Sequence, residues 1–233
     1  MNKNKLLPEF EFDPTKLIVY GGGGLSKMII ESIRVLGTYQ IAGVIDDNLK
    51  KGEDIIGSPV LGGKEILPKL FDQGIRMAVN SVGGIGNYQA RWDVFNLLAA
   101  EGFVCPVIAH PTAHIDPSAV VEAGVLVLAQ SYISGNARVG AGSLINNSVV
   151  VSHDCVLGKC VNLSPGAMIA GDAAIGDFTQ IGMNATVNIG VRIGSECRIA
   201  NGATVKGNVP AKTRIYAGAV WPPYQPDKKT KSV

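Results

Sequence analysis

His153 and Asp154 are the neighbouring pair in this 233-residue chain best suited to moving a proton. An imidazole titrates near neutrality and can take a proton from an attacking group, and an adjacent carboxylate can orient the ring. A histidine at a surface is also commonly just solvated, so the pair by itself leaves both readings open. Of the other two histidines, His110 lies in the segment that enters the stretch holding His153, and His114 lies at that stretch's start. A second group of residues suits anion binding. The apolar run at 17–20 leads into Gly21-Gly22-Gly23-Gly24, whose backbone N–H groups can approach a phosphate closely. Asp46 and Asp47 end another apolar run, where a carboxylate can accept hydrogen bonds from a ribose or a base. The full G-x-G-x-x-G spacing is absent, because Lys27 stands where the third glycine belongs. That argues against a dinucleotide fingerprint, and a tight strand-to-helix turn is the alternative.

Cysteines occur at 105, 155, 160 and 197, with no C-x-x-C pair and no histidine at a nucleophile spacing. Lys and Arg total 21 against 19 for Asp and Glu, which lacks the basic footprint of a nucleic-acid binder. The short basic run at 228–231 reads as a solvated end. Met1-Asn2-Lys3-Asn4-Lys5 has no apolar core of signal-peptide length, and no run reaches the ~18 apolar residues of a membrane span. A cytoplasmic protein with reduced thiols and no membrane insertion is expected.

The elements that position these groups fall into two kinds. From 16 to 108, strands are expected at 17–20, 41–45 and 77–80, with helices at 26–36 and 88–100; Gly37 is a natural C-cap. The alternation predicts an α/β Rossmann-like domain with a small parallel sheet. From 109 to 218 a repeat takes over. Every sixth residue from Ile115 through Val205 is aliphatic, sixteen positions without an insertion. The residue two before each is small or β-branched, and Gly follows the aliphatic at 140, 158, 176, 182 and 194. A period of six fits neither a helix nor simple strand alternation. It fits a triangular solenoid in which each hexad gives one short strand and one turn, and three hexads close a coil. The aliphatics fill the prism and the small residues pack near its corners. Cys155 falls in the small inward series, which favours packing over catalysis. Trp221, Pro222 and Pro223 are expected to cap the prism, within a tail at 219–233.

The chain resembles the sialic-acid O-acetyltransferases and bacillosamine-type sugar N-acetyltransferases of the hexapeptide-repeat superfamily, from about 16 to 218. The resemblance rests on Tyr20-Gly21-Gly22-Gly23-Gly24, Val44-Ile45-Asp46-Asp47, Gly57-Ser58-Pro59-Val60-Leu61-Gly62, Ile85-Gly86-Asn87 with Arg91, and His110-Pro111. It continues through Ser152-His153-Asp154-Cys155-Val156-Leu157-Gly158 and Leu163-Ser164-Pro165-Gly166-Ala167.

It implies a left-handed parallel β-helix, a homotrimer, and acetyl-CoA as co-substrate. It makes His153 the general base and Asp154 its orienting carboxylate. It puts the nucleotide-linked amino sugar on the first domain, at Gly22, Gly23, Gly24, Asp46, Asp47, Gly86 and Asn87. The acyl-CoA falls to Asn162, Gly171, Gly182, Met183, Asn201 and Gly202, Gly171 lying eighteen residues after His153. Two family histidines are replaced, by Leu25 after the glycine loop and by Asn162 nine residues after His153. A three-histidine zinc site, known on such prisms, would need histidines deep in the repeats; only His153 is there, so no metal is expected. The expected activity is N-acetylation of a 4-amino group for surface-glycan biosynthesis. O-acetylation of a sialic-acid-like sugar and a non-catalytic trimeric assembly module are the alternatives.

Overall fold

An uninterrupted apolar run forms β1 (Lys16–Tyr20), whose Leu17, Ile18 and Val19 are fully buried, as a strand covered on both faces requires. The helix α1 (Gly24–Leu36) follows and buries Ile29, Ile30 and Ile33 at helical spacing. Gly37 ends it in the left-handed region at φ 71°, with its N–H on the Ile33 carbonyl at 3.1 Å. Then come β2 (Gln40–Ile45), β3 (Asp54–Ile55), β4 (Ser58–Gly62), α2 (Leu67–Asp72), β5 (Met77–Asn80) and α3 (Tyr88–Ala100). The sheet order is β3-β4-β2-β1-β5, parallel throughout except for the β3–β4 hairpin. β1 pairs with β2 on one side and β5 on the other, so the sheet winds both ways from it. Its C-terminal end is therefore a topological switch point, where open α/β sheets bind ligands. Ile18, Tyr20, Ile45, Leu67, Leu98 and Phe103 belong to the core of this unit.

The β3–β4 hairpin and α2 were not among the expected elements. Pro59 and the flanking glycines interrupt the hairpin's apolar pattern, and α2 has six residues, too few to show a helical period. The computed structural model describes residues 13–83, 86 and 88–223; Asn87 and the basic run at 228–231 lie outside the described residues. The chain divides into two compact units, Met1–Pro111 and Thr112–Val233.

The second unit is the solenoid. Its two-residue strands recur every six residues and pair in parallel with the strand eighteen residues on: Ile133 meets Val151, Val139 meets Leu157, and Ile145 meets Leu163. Three flat faces result. The first includes His114–Ile115, Val150–Val151 and Thr204–Val205, the second Val120–Val121, Val156–Leu157 and Arg192–Ile193, and the third Leu126–Val127, Asn162–Leu163 and Arg198–Ile199. The sixfold aliphatics point inward, with Val151, Leu163 and Ile169 at most 1% exposed. Each turn places the residue three past the aliphatic in the left-handed region, at φ 52–71° from Gly124 to Gly202. The recurrent glycines have a packing reason: a Cβ at Gly140, Gly176, Gly182 or Gly194 would lie 2.5–2.6 Å from backbone atoms of the next coil.

The last coil is shorter. Arg198 pairs with Arg214 and Val205 with Trp221, sixteen residues apart instead of eighteen. Val220–Trp221 is thus the final rung of the first face, which corrects the expectation that Trp221 follows the prism as a cap. The two missing residues put Trp221 where an inward aliphatic would stand.

Candidate active site

The turn between the first and second faces carries the His–Asp pair. Val151 and Cys155 are buried, so Ser152-His153-Asp154 arch outward between them. The His153 side chain is 57% exposed, and its Nδ1 lies 2.8 Å from Asp154 Oδ2. The other Asp154 oxygen accepts from Asn136 Nδ2 at 3.2 Å, one coil earlier. The His153 hydrogen bond, and after it the Asn136 bond, hold the Asp154 carboxyl below the usual carboxylate range. A carboxylate can only accept, so Nδ1 donates to it, and in the neutral ring Nε2 keeps the lone pair a base needs.

Gly171 lies directly under the ring. A Cβ there would be 2.5 Å from His153 Nε2 and 2.6 Å from Cε1. The Asp172 N–H donates to the His153 carbonyl at 3.0 Å, tying the two turns together. The Gly171 N–H meets no acceptor among the described residues. Asp172 was not singled out from the sequence. A carboxylate oxygen of Asp172, a ring nitrogen of His153 and a carboxylate oxygen of Asp154 lie within 4.8 Å of one another. The signal was available: Asn136, Asp154 and Asp172 are spaced by eighteen.

The residues expected at the acyl donor separate. Gly171 shares the His153 corner. Gly182, Met183, Asn201 and Gly202 line the corner between the third and first faces, where the Met183 N–H donates to Asn201 Oδ1 at 3.0 Å. Asn162 stands on the third face, its Oδ1 accepting from Asn146 Nδ2 at 3.2 Å. The second face, next to the His153 corner, carries an apolar groove of about 650 Å³ lined by Val156, Ala174, Arg192 and Pro210 among others, none of them an expected donor residue. His114 also has a carboxylate partner, Asp116 at 2.9 Å, but its ring packs against Tyr132, 5.3 Å between centroids. All four cysteines are buried free thiols; burial pushes Cys105 up to about 11 and raises Cys155 and Cys197 as well.

In the first unit, the glycine loop opens onto α1. Gly23 caps the helix without a side-chain bond, no acidic residue occupies the first turn, and space is open beside Gly23 and Gly24. Uncompensated N–H groups at such an end favour an anion. Asp46 and Asp47 are already engaged. Asp46 accepts from the N–H groups of Gly22 at 2.7 Å and Asn48 at 2.9 Å. Asp47 accepts from the Tyr20 hydroxyl and the Lys64 N–H, both at 2.8 Å. They shape the loops first, with lone pairs left for a ligand's donors. Buried Arg91 donates to the carbonyls of Asn80 at 3.0 Å and Val82 at 2.8 Å, fixing the backbone just past β5, and Gly86 is exposed.

The PglD N-terminal domain family matches residues 16–98, and the six-repeat bacterial transferase hexapeptide family matches residues 172–207. None of the curated proteins compared matches the chain. Among solved structures, GDP-perosamine N-acetyltransferase from Caulobacter crescentus, a histidine-to-alanine variant with CoA and GDP-perosamine, is 30% identical with a TM-score of 0.82. The match covers 87% of this chain and 93% of that one. The acetyltransferase domain of PglB from Neisseria gonorrhoeae with acetyl coenzyme A is also 30% identical, with a TM-score of 0.79 and coverage of 88% and 97%. WeeI from Acinetobacter baumannii is 25% identical, with a TM-score of 0.79 and coverage of 88% and 98%. With a PglD-type domain, a hexapeptide prism of the left-handed parallel β-helix type and near-complete overlap with these enzymes, the chain belongs to the hexapeptide-repeat sugar N-acetyltransferases.

Proposed function

We propose that this protein transfers the acetyl group of acetyl-CoA to the 4-amino group of a nucleotide-linked deoxyamino sugar. The observation that carries the reading is the His153–Asp154 pair, buttressed by Asn136 and seated over Gly171, on a chain 30% identical to an N-acetyltransferase solved with CoA and GDP-perosamine. Asp154 holds the ring so that Nε2 takes a proton from the attacking amine as the C–N bond forms. The carbonyl oxygen becomes an oxyanion, for which the Gly171 N–H is a donor. The C–S bond then breaks, and the proton on Nε2 passes to the CoA sulfur. The glycine loop and the N-terminus of α1 suit the acceptor's phosphates, and Asp46 and Asp47 its sugar or base.

The protein acts as a homotrimer in the cytosol, in which neighbouring prisms share a donor. The separation of Gly171, at the His153 corner, from Gly182, Met183, Asn201 and Gly202, at another, supports this: one extended donor reaches both sets when they come from adjacent copies. No helix among the described residues is long and apolar enough to cross a membrane.

The test is turnover. The protein is incubated with acetyl-CoA and a panel of UDP-, dTDP- and GDP-linked 4-amino sugars, and thiol release is followed. His153→Ala should lower kcat by ~10²–10⁴-fold while CoA still binds. Turnover with hydroxyl acceptors alone, or an unaffected His153→Ala variant with chemistry rate-limiting, would refute the reading. A monomer in sedimentation at micromolar concentration would refute the trimer.

A further inference from the structure

We infer that Asp172 is the residue that draws the acceptor in as a cation and so favours an amine over a hydroxyl; the inference rests on the acetyl-transfer reading above. Asp154 and Asp172 occupy the same turn position one coil apart, both in the left-handed region at φ 58° and 57°. Stacked rungs are ~4.8 Å apart, and like charges facing each other at such a spacing repel. Asp154 is compensated by His153 and Asn136. No hydrogen bond or ion pair engages the Asp172 carboxylate among the described residues. With the imidazole beside them, the two exposed carboxylates face a point that a cation can occupy, one ligand atom from each of the three groups lying within 4.8 Å of the others.

The reaction brings a cation of its own. An alkylamine is mostly an ammonium ion at neutral pH and cannot attack a thioester in that form. Held by Asp172, the ammonium stands beside His153. It passes one proton to Nε2, which releases it to water. The neutral amine then attacks with His153 again free to accept the second proton. A hydroxyl acceptor carries no charge for Asp172 to hold, so the residue discriminates at the binding step.

Asp172→Asn is isosteric, and asparagine tolerates the left-handed turn, so the variant tests charge alone. The probes are the 4-amino sugar nucleotide that the wild type turns over fastest and the same molecule with a hydroxyl replacing the amine. Calorimetry should show the wild type preferring the amine and Asp172→Asn losing about tenfold of that preference, the size of one charge-assisted hydrogen bond. KM for the amine should rise by a similar factor below the amine's own pKa and converge on wild type above it. Asp172→Glu should recover part of the loss. EDTA should leave wild-type activity unchanged.

Unchanged amine affinity and an unchanged pH profile in Asp172→Asn, with the wild type active on amines, would overturn this inference and leave acetyl transfer standing. A wild type active on hydroxyl acceptors alone would overturn both. Activity abolished by EDTA and restored by a divalent cation would assign the three groups to a metal and overturn the ammonium role.

Discussion

Gly171→Ala isolates the placement of His153 from its chemistry. The added Cβ would stand 2.5 Å from Nε2 and 2.6 Å from Cε1, whereas non-bonded carbons rest at about 3.5–4.0 Å. The ring must therefore move by roughly 1 Å, away from the position where Nδ1 meets Asp154 at 2.8 Å. A displacement of that size at a reacting group costs about 10²-fold in rate. Stability should respond little. Gly171 does not use a left-handed φ, so alanine can take its backbone conformation and reduces the freedom of the unfolded chain, worth about 0.4–1 kcal/mol. Pushing the exposed His153 off its rotamer costs about 0.5–1.5 kcal/mol, so the two nearly cancel. The Gly171 N–H also survives the substitution. The expected result is kcat lowered by about 10²-fold, CoA affinity unchanged in calorimetry, and Tm within ~3 °C of wild type. Wild-type kcat in a folded Gly171→Ala protein would refute the claim that this glycine exists to seat the imidazole.

Two further outcomes follow from the electrostatics. The Asp154 carboxyl, followed by NMR, should titrate below 3.8, and Asn136→Ala should move it back toward 3.8 by removing one of its two side-chain donors. Because the folded-state value is the depressed one, the pairing favours the folded state above pH 3.8 and fades as pH falls through the folded value. A wild-type Asp154 titrating at or above 3.8 would contradict the hydrogen-bond geometry. A thiol reagent at pH 8 should label none of the four cysteines in the native protein and all four after denaturation, since all are buried and Cys105 is pushed up to about 11. Rapid labelling of any one in the native state would show that its burial is not maintained.

The solenoid was legible because its physics is local and periodic. Each hexad must supply an inward aliphatic, a small neighbour and a turn, and Ile115 through Val205 meets that demand without a break. The first unit was legible where its elements were long or uninterrupted, as in β1, α1 and α3. The β3–β4 hairpin and α2 escaped because their contacts are tertiary. Leu67 and Leu70 are buried by the core they join, not by any pattern of their own. The engagement of Asp46 and Asp47 with Gly22, Asn48, Tyr20 and Lys64 was equally out of reach, since it depends on how three loops fold back on one another.

Much of the His153 corner is reached by arithmetic. In a three-faced prism the side chains that stack are those eighteen residues apart, a stride three times the visible period. From Asp154 that stride reaches Asn136 backward and Asp172 forward, the donor that fixes the carboxylate and the second charge beside the imidazole. From His153 it reaches Gly171, the one residue small enough to lie beneath the ring. The same stride from His153 never meets Gly182, Met183, Asn201 or Gly202, and so assigns them to another corner from the sequence alone. Only the two-residue contraction after Val205 breaks the rule, and it breaks it beyond the site. Thus the six-residue period specifies the scaffold, while the eighteen-residue stride specifies which side chains can act together.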